Sequence, residues 1–336
     1  MIHSQKERRY RCKRCGRTFS ETQGTALYRV HKPKWLVLTV VNLLAYGCPV
    51  QAIVAAFGLD ELTVARWQKE SGLQCRRVHE HLIEAGKVAP LQVQADEIRV
   101  KAVGGIYWLA TAMEVRSRLW LGGVLSRHRD VRLIRALLLR VCACGLLERI
   151  LLVTDGLSSY KSQALKVFRK PLHSGKVGRP RLVLPAGVMI ARVKKRYQRR
   201  RVVEVIRDVV VGVEAEVICR LIGTQRSIRA LINTAYIERL GATFRARLAP
   251  LARRTRAGVH KQCTLENVGC GWSAVATTCY GGSALWEKGA PPAMAAGLTN
   301  HRWTMEELLT FPTPPAELPR WRGRKPRWLL EAERAA

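Results

Sequence analysis

A net charge of +33, from 58 Lys and Arg against 25 Asp and Glu, is the property any compact fold of this chain must accommodate. Self-repulsion on that scale strains a globule unless a polyanion is nearby. Phosphate neutralisation by Lys and Arg releases condensed counterions, so DNA or RNA is the economical partner. Hydrophobic residues still make up 48% of the 336 residues, which excludes disorder throughout and allows a real core. Among so many cations, an acid set in an apolar stretch carries more information than acids usually do.

The first residues are polar and charged, without the pattern of a signal peptide. The apolar run from Trp35 to Tyr46 falls short of the roughly 20 residues a membrane helix needs. Ten mostly isolated cysteines do not suggest a disulfide framework. The expectation is a reduced, cytoplasmic and nucleoid-associated protein with no membrane partner.

Residues 1–33 read as a partial zinc-ribbon-like segment. Cys12 and Cys15, followed by Gly16, have the spacing of one zinc knuckle. No second Cys-x-x-Cys occurs, and His3 adds only one further ligand. Four ligands are not assembled locally, so Zn2+ is a secondary expectation.

Residues 34–75 read as a helix-turn-helix domain for DNA. Pro33 precedes an apolar helix to about Tyr46, and Pro49 opens a second, Val50 to Phe57. Gly58-Leu59-Asp60 makes a tight turn before a third, Glu61 to Glu70, with Leu62, Val64, Ala65 and Trp67 at its apolar positions. Thr63, Arg66, Gln68 and Lys69 would then face a major groove or its phosphates. Residues 73–90 read as a linker with a short helical stretch around His79 to Glu84.

Beyond the linker the period changes. Leu91 to Val100, Ile106 to Ala112 and Leu119 to Leu125 suggest three successive strands. Val131 to Leu147 has helical periodicity, Ile150 to Val153 is a short buried strand, and a helix follows from Ser158 to about Phe168. The fold class is α/β, a mixed sheet with flanking helices over 88–262. Within it lies a basic insertion near 170–210. Residues 161–207 hold fifteen Lys and Arg but one acid, Glu204, and the density around Arg199, Arg200 and Arg201 favours a phosphate-tracking surface. Ser227 to Leu251 reads as the last strong helix, with Tyr236, Leu240, Phe244 and Leu248 on its apolar side. Residues 263–336 form an irregular segment and a basic tail.

Three acids stand out against this background. Asp96 lies in the first strand pattern, Asp155 ends the fourth at Thr154-Asp155-Gly156, and Glu238 lies in the basic helix. Phosphoryl transfer on DNA uses divalent cations clamped between attacking and leaving oxygens, and carboxylates are the natural ligands for Mg2+ or Mn2+. Arg245, seven residues after Glu238, shares its side of the helix and could reach a phosphate. Glu97 follows Asp96 and would point to the opposite face of a strand, behind the ligand shell.

The acids' order resembles that of the ribonuclease-H-like nucleotidyl transferases. Several stretches are closer to one group of them. These are Arg9-Tyr10-Arg11-Cys12-Lys13-Arg14-Cys15-Gly16-Arg17-Thr18-Phe19, the helix-turn-helix, Thr154-Asp155-Gly156, Asn233-Thr234-Ala235-Tyr236-Ile237-Glu238-Arg239-Leu240, Thr243-Phe244-Arg245 and Leu251-Ala252-Arg253-Arg254-Thr255. Together they resemble the insertion-sequence-one-type DDE transposases, over about 8–262 and again near 291–309. The resemblance implies a ribonuclease-H-like core in which Asp96, Asp155 and Glu238 bind two magnesium ions. It also implies nicking at element ends and attack of the freed 3′-hydroxyl on target DNA. The partners implied are double-stranded DNA (terminal inverted repeats and target) and further copies of the chain in the DNA complex. The chain departs from that pattern at the missing first zinc knuckle, at Gly241 in place of Asn, and over 267–287, where an expected helix is absent. A two-base shift of reading frame could restore it. The alternative these departures leave open is a decayed or repurposed transposase that only binds DNA.

Overall fold

The computed structural model describes residues 9–13, 16–85, 88–145, 147–172, 178–199, 201–225, 230–253, 262–266, 279 and 290–313. Cys15, Arg200, most of the 267–287 segment and the tail from 314 lie outside the described residues.

The chain is α/β, with a six-stranded mixed sheet and helices against both faces. In sequence these strands are β3 (Gln92–Ala102), β4 (Gly105–Glu114), β5 (Trp120–Ser126), β6 (Leu151–Asp155), β9 (Met189–Gln198) and β10 (Arg201–Val211). They lie in the order β10-β9-β6-β3-β4-β5. The meander β3–β4–β5 and the pair β9–β10 are antiparallel, while β6 runs parallel to both β3 and β9. This arrangement is compatible with the ribonuclease-H-like core expected. Two small hairpins stand apart: β1 (Arg9–Arg11) with β2 (Thr18–Ser20), and β7 (Lys170–Leu172) with β8 (Arg181–Val183).

β6 explains why the centre of the sheet is an unbroken apolar run. Leu151 and Val153 pack with Met189, Ala191, Val217 and Leu221, while Leu152 joins the main core on the other face. A strand buried on both faces cannot alternate apolar with polar. Helices α4 (Val131–Cys144) and α5 (Ser158–Val167) cover one face, and α6 (Glu214–Gln225) and α7 (Ala235–Arg247) the other. Asp130 caps α4 by accepting the Leu133 N–H at 3.0 Å.

Before the sheet come α1 (Lys34–Ala45), α2 (Val50–Phe57) and α3 (Glu61–Leu82). The α2–α3 turn is built as its sequence demands. Gly58 takes the left-handed conformation (φ 58°), and Asp60 accepts the Thr63 N–H at 3.1 Å. The expected end of α3 at Glu70 and the linker after it are corrected: the helix continues without a break to Leu82. Its second half is held by tertiary contacts that no local signal records. Gln74 donates to the Phe311 carbonyl at 2.7 Å, and His79 packs on Trp120 of β5 with ring centroids 4.8 Å apart. Within α3, Val64 and Trp67 are buried, but Leu62 and Ala65, expected at apolar positions, are exposed.

Short helices α8 (Pro292–Ala295) and α9 (Met305–Thr310) follow, the latter with a capping box between Thr304 and Glu307. α9 packs on α1 and α3, and the Ala26 N–H donates to the Leu309 carbonyl at 3.2 Å. The α1–α3 unit, the sheet and α9 therefore share one continuous core.

Three further differences follow from packing. α6 occupies a stretch to which the sequence analysis assigns no element. Residues 230–234 are not helical, so α7 begins eight residues after the expected start at Ser227. Its buried face is Ile237, Gly241, Phe244 and Leu248, rotated from the expected 236/240/244/248 stripe. Gly241 sits where an added Cβ would meet Ile98 of β3, so α7 turns its smallest residue to the sheet. β9 lies inside the main sheet, bonded along five residues to β6.

Candidate metal centre

Parallel pairing of β3 with β6 brings the first two acids together. Ala95 lies opposite Thr154, so the next residues, Asp96 and Asp155, are neighbours on one face of the sheet. That face also carries Gln94, two residues before Asp96 and fully buried. Its amide bonds the start of α7 from both ends. Nε2 donates to the Asn233 carbonyl at 2.6 Å, and Oε1 accepts the Ile237 N–H at 3.0 Å. One helix position later comes Glu238. Gln92 repeats the device toward α6, accepting from the Thr224 hydroxyl. Two buried glutamines thus dock both helices on the acid-bearing face.

Burial and neighbouring negative charge together shift Asp96. Burial raises its pKa to about 6; the Glu97 N–H bond at 2.8 Å opposes this, and the charges of Glu97, Asp155 and Glu238 add to it. Glu238 is therefore near enough to act on Asp96, yet it is held by other groups. Lys195 Nζ lies 2.6 Å from Glu238 Oε1, and the Thr234 hydroxyl donates to the same oxygen at 2.8 Å. Burial opposes ionisation of Glu238, but these two bonds outweigh it and keep its pKa below the usual carboxylate range.

Glu97 departs furthest from expectation. It does lie on the opposite face, as strand alternation requires, with its side chain wholly buried. Its carboxylate is nonetheless part of the cluster: one oxygen each from Asp96, Glu97 and Asp155 lie within 4.8 Å of one another. Arg129 bridges the two faces. Its Nε and Nη2 contact Glu97 Oε2 at 2.9 and 2.6 Å, its Nη2 reaches Asp155 at 3.4 Å, and its guanidinium lies over Trp108. Among the described residues, the other Glu97 oxygen and the buried Tyr160 hydroxyl have no hydrogen-bond partner of good geometry. Burial, then the Glu97 charge, pushes the Tyr160 phenol well above its ordinary value. None of Gln94, Arg129, Tyr160 and Lys195 was singled out by the sequence, because each gains its role from residues far along the chain, as Gln94 does from Ile237 and Lys195 from Glu238.

The remaining candidates are dispersed. Cys12 lies in the turn of the β1–β2 hairpin, where its carbonyl accepts the Gly16 N–H at 2.9 Å; Cys15 is outside the described residues. On α3, Arg66 and Lys69 are exposed and Thr63 and Gln68 half-buried; Arg66 is engaged by the Arg29 carbonyl at 3.1 Å. Arg199 and Arg201 are exposed at the β9–β10 turn, with Arg199 in the left-handed region (φ 46°). Arg245 is half-buried on α7. Among the described residues, no helix is long and apolar enough to cross a membrane. The sequence matches no protein-family model and no curated protein.

Proposed function

We propose that this protein is a DDE-type DNA transposase that nicks DNA at element ends in a magnesium-dependent reaction and joins the 3′-hydroxyl to target DNA. The observation that carries this reading is the side-by-side placement of Asp96 and Asp155 on adjacent parallel strands in a chain of net charge +33. The order of the acids supports a ribonuclease-H-like core. Asp96 is on the first strand of the large sheet, Asp155 on its fourth in chain order, and Glu238 on a late helix docked beside them.

The donor set suits a hard divalent cation. Oxygen ligands at a carboxylate pair are what Mg2+ or Mn2+ prefers, and Asp96 and Asp155 present such a pair on neighbouring strands. Asp96 and Asp155 would hold the ion, with Glu238 completing the set. When bound, a divalent cation at such a site activates water and stabilises charge on phosphoryl oxygens. The rest falls to the chain's own side chains. Gln94 fixes α7 so that Glu238 stays near Asp96. Arg129 and Lys195 hold positive charge at the rim of the acids, where an approaching phosphate would lie. No side-chain nucleophile is required, because water and the DNA 3′-hydroxyl supply the attacking oxygens.

In this reading α2 and α3 are a helix-turn-helix that grips terminal inverted repeats, with Lys69 and Gln68 facing the DNA. Further copies of the chain pair the two element ends, and the protein works at the nucleoid. Zn2+ at Cys12 and Cys15 remains a secondary proposal.

The test is nicking of a supercoiled plasmid carrying the element ends, with Mg2+ or Mn2+. Wild-type protein should convert it to the open circular form. Asp155→Asn should lose that conversion by on the order of a thousandfold or more while still binding the DNA. Unchanged nicking by the variant would remove the acids from the reaction. A binding-only protein is the second reading, favoured by the Lys195 and Thr234 bonds that already occupy Glu238 Oε1. It predicts wild-type binding with no nicked product under any divalent cation.

A further inference from the structure

β9 outlasts its neighbour. Only Met189–Val193 pair with β6, which ends at Asp155 opposite Val193. Lys194–Gln198 pair with β10 alone, so the two strands run on past the acid centre as a two-stranded ribbon. Five residues at about 3.3 Å each make it roughly 17 Å long. A register shift between Val202 and Glu204 puts a bulge near the tip, which increases the ribbon's twist.

The ribbon's surface is unlike that of a protein-facing edge. Six of its eight residues from 194 to 201 are Lys or Arg, and none is acidic. The inner three cations are already matched, Lys194 by Asp208 at 3.5 Å, Lys195 by Glu238 at 2.6 Å and Arg196 by Glu204 at 2.9 Å, which leaves the arginines at the tip to meet another anion. Exposed among these cations are Tyr197 (64%), Val202 and Val203. Paired residues share a face, and Tyr197 opposes Val202 while Lys195 opposes Val205. Lys195 reaches Glu238, so Tyr197 is the next side chain outward on the acid-facing side.

We propose that the β9–β10 ribbon enters the major groove of duplex DNA beside the phosphate presented to the acids. Arg199 and Arg201 at the tip contact backbone phosphates, and Tyr197 packs on the sugar or base edge nearest the acid centre. The occupant is B-form DNA on grounds of shape as well as charge. A major groove about 12 Å wide admits a two-stranded ribbon, whereas the deep, narrow groove of A-form RNA does not. This rests on the reading that the acid centre acts on DNA, and it names the element that positions the duplex there.

The experiment measures binding of full-length protein to a fluorescent DNA duplex of about three helical turns in EDTA, over a series of salt concentrations. The double variant Arg199→Ala/Arg201→Ala should bind at least about tenfold more weakly at 0.1 M salt. Its slope of log affinity against log salt should shrink by about 2, one contact for each arginine. Tyr197→Ala should weaken binding a fewfold with the slope unchanged. Removing the same charge from the outer side of α4, by Arg132→Ala/Arg135→Ala, should do clearly less. All these side chains are exposed, and unaltered thermal unfolding confirms that the variants fold. The proposal is overturned if the tip variant matches wild type or the α4 control in affinity and slope, or if an RNA duplex binds as tightly as the DNA. Binding in EDTA involves no cleavage, so the two readings fail separately. An Asp155→Asn protein that still nicks sinks the catalytic reading, and an unaffected tip variant sinks only the ribbon.

Discussion

Two strand pairs of one sheet treat charge in opposite ways. At β3–β6, few carboxylates are present and their surroundings act on them: burial raises the Asp96 pKa to about 6, and the buried Glu97 is anchored by Arg129. At the outer end of β9–β10, charges are abundant and mostly exposed, as in the Arg196–Glu204 pair. Low dielectric strengthens every interaction in the first region, whereas water and salt weaken those in the second. A few acids therefore set the chemistry that the fold can support, while many cations supply attraction without fixing geometry.

The largest expected stability effect is at Asp96. Its folded-state pKa of about 6 lies above the ordinary 3.8, so ionising it opposes folding. That destabilisation is absent below about pH 4, grows as pH rises between the two values, and is complete above 6. In EDTA, Asp96→Asn should stabilise the protein above pH 6 by up to about 3 kcal/mol in urea unfolding, the free energy of a shift of roughly two units. The gain should vanish near pH 4. A variant less stable than wild type at pH 7.5 would contradict the electrostatic account of the centre.

Gln94→Leu comes next. It leaves the buried Ile237 N–H without an acceptor and should cost about 1–3 kcal/mol. A cost well below 1 kcal/mol would mean that the docking of α7 does not depend on this amide. The smallest effect belongs to the ribbon. Glu204→Ala removes an exposed ion pair and should change stability by less than about 0.5 kcal/mol. A loss above 1 kcal/mol would erase the contrast between the two regions.

Much of the architecture was legible in the sequence because its signals are local. Alternating or continuous apolar runs placed β3, β4 and β5 to within a few residues, and the Gly58 to Asp60 turn placed the start of α3. Where tertiary contacts decide, the pattern was silent or misleading. α3 runs on past Glu70 because Phe311 and Trp120 lie against its second half. α7 is rotated because Gly241, not Leu240, faces Ile98. The same division holds at the site. Asp96 and Asp155 stood out as acids in apolar strands, but Glu97 and Gln94 gain their roles from Arg129 and Ile237, 32 and 143 residues away.

The claim on which the rest depends is that Asp96 and Asp155, with Glu238 beside them, bind a divalent cation. Titration of Mn2+ followed by electron paramagnetic resonance, on wild type and on Asp96→Asn, Asp155→Asn and Glu238→Gln, tests it without reference to turnover. Saturable binding in wild type, lost in both aspartate variants and weakened in Glu238→Gln, is the predicted result. Equal Mn2+ uptake by all four proteins, or none by wild type, would contradict it.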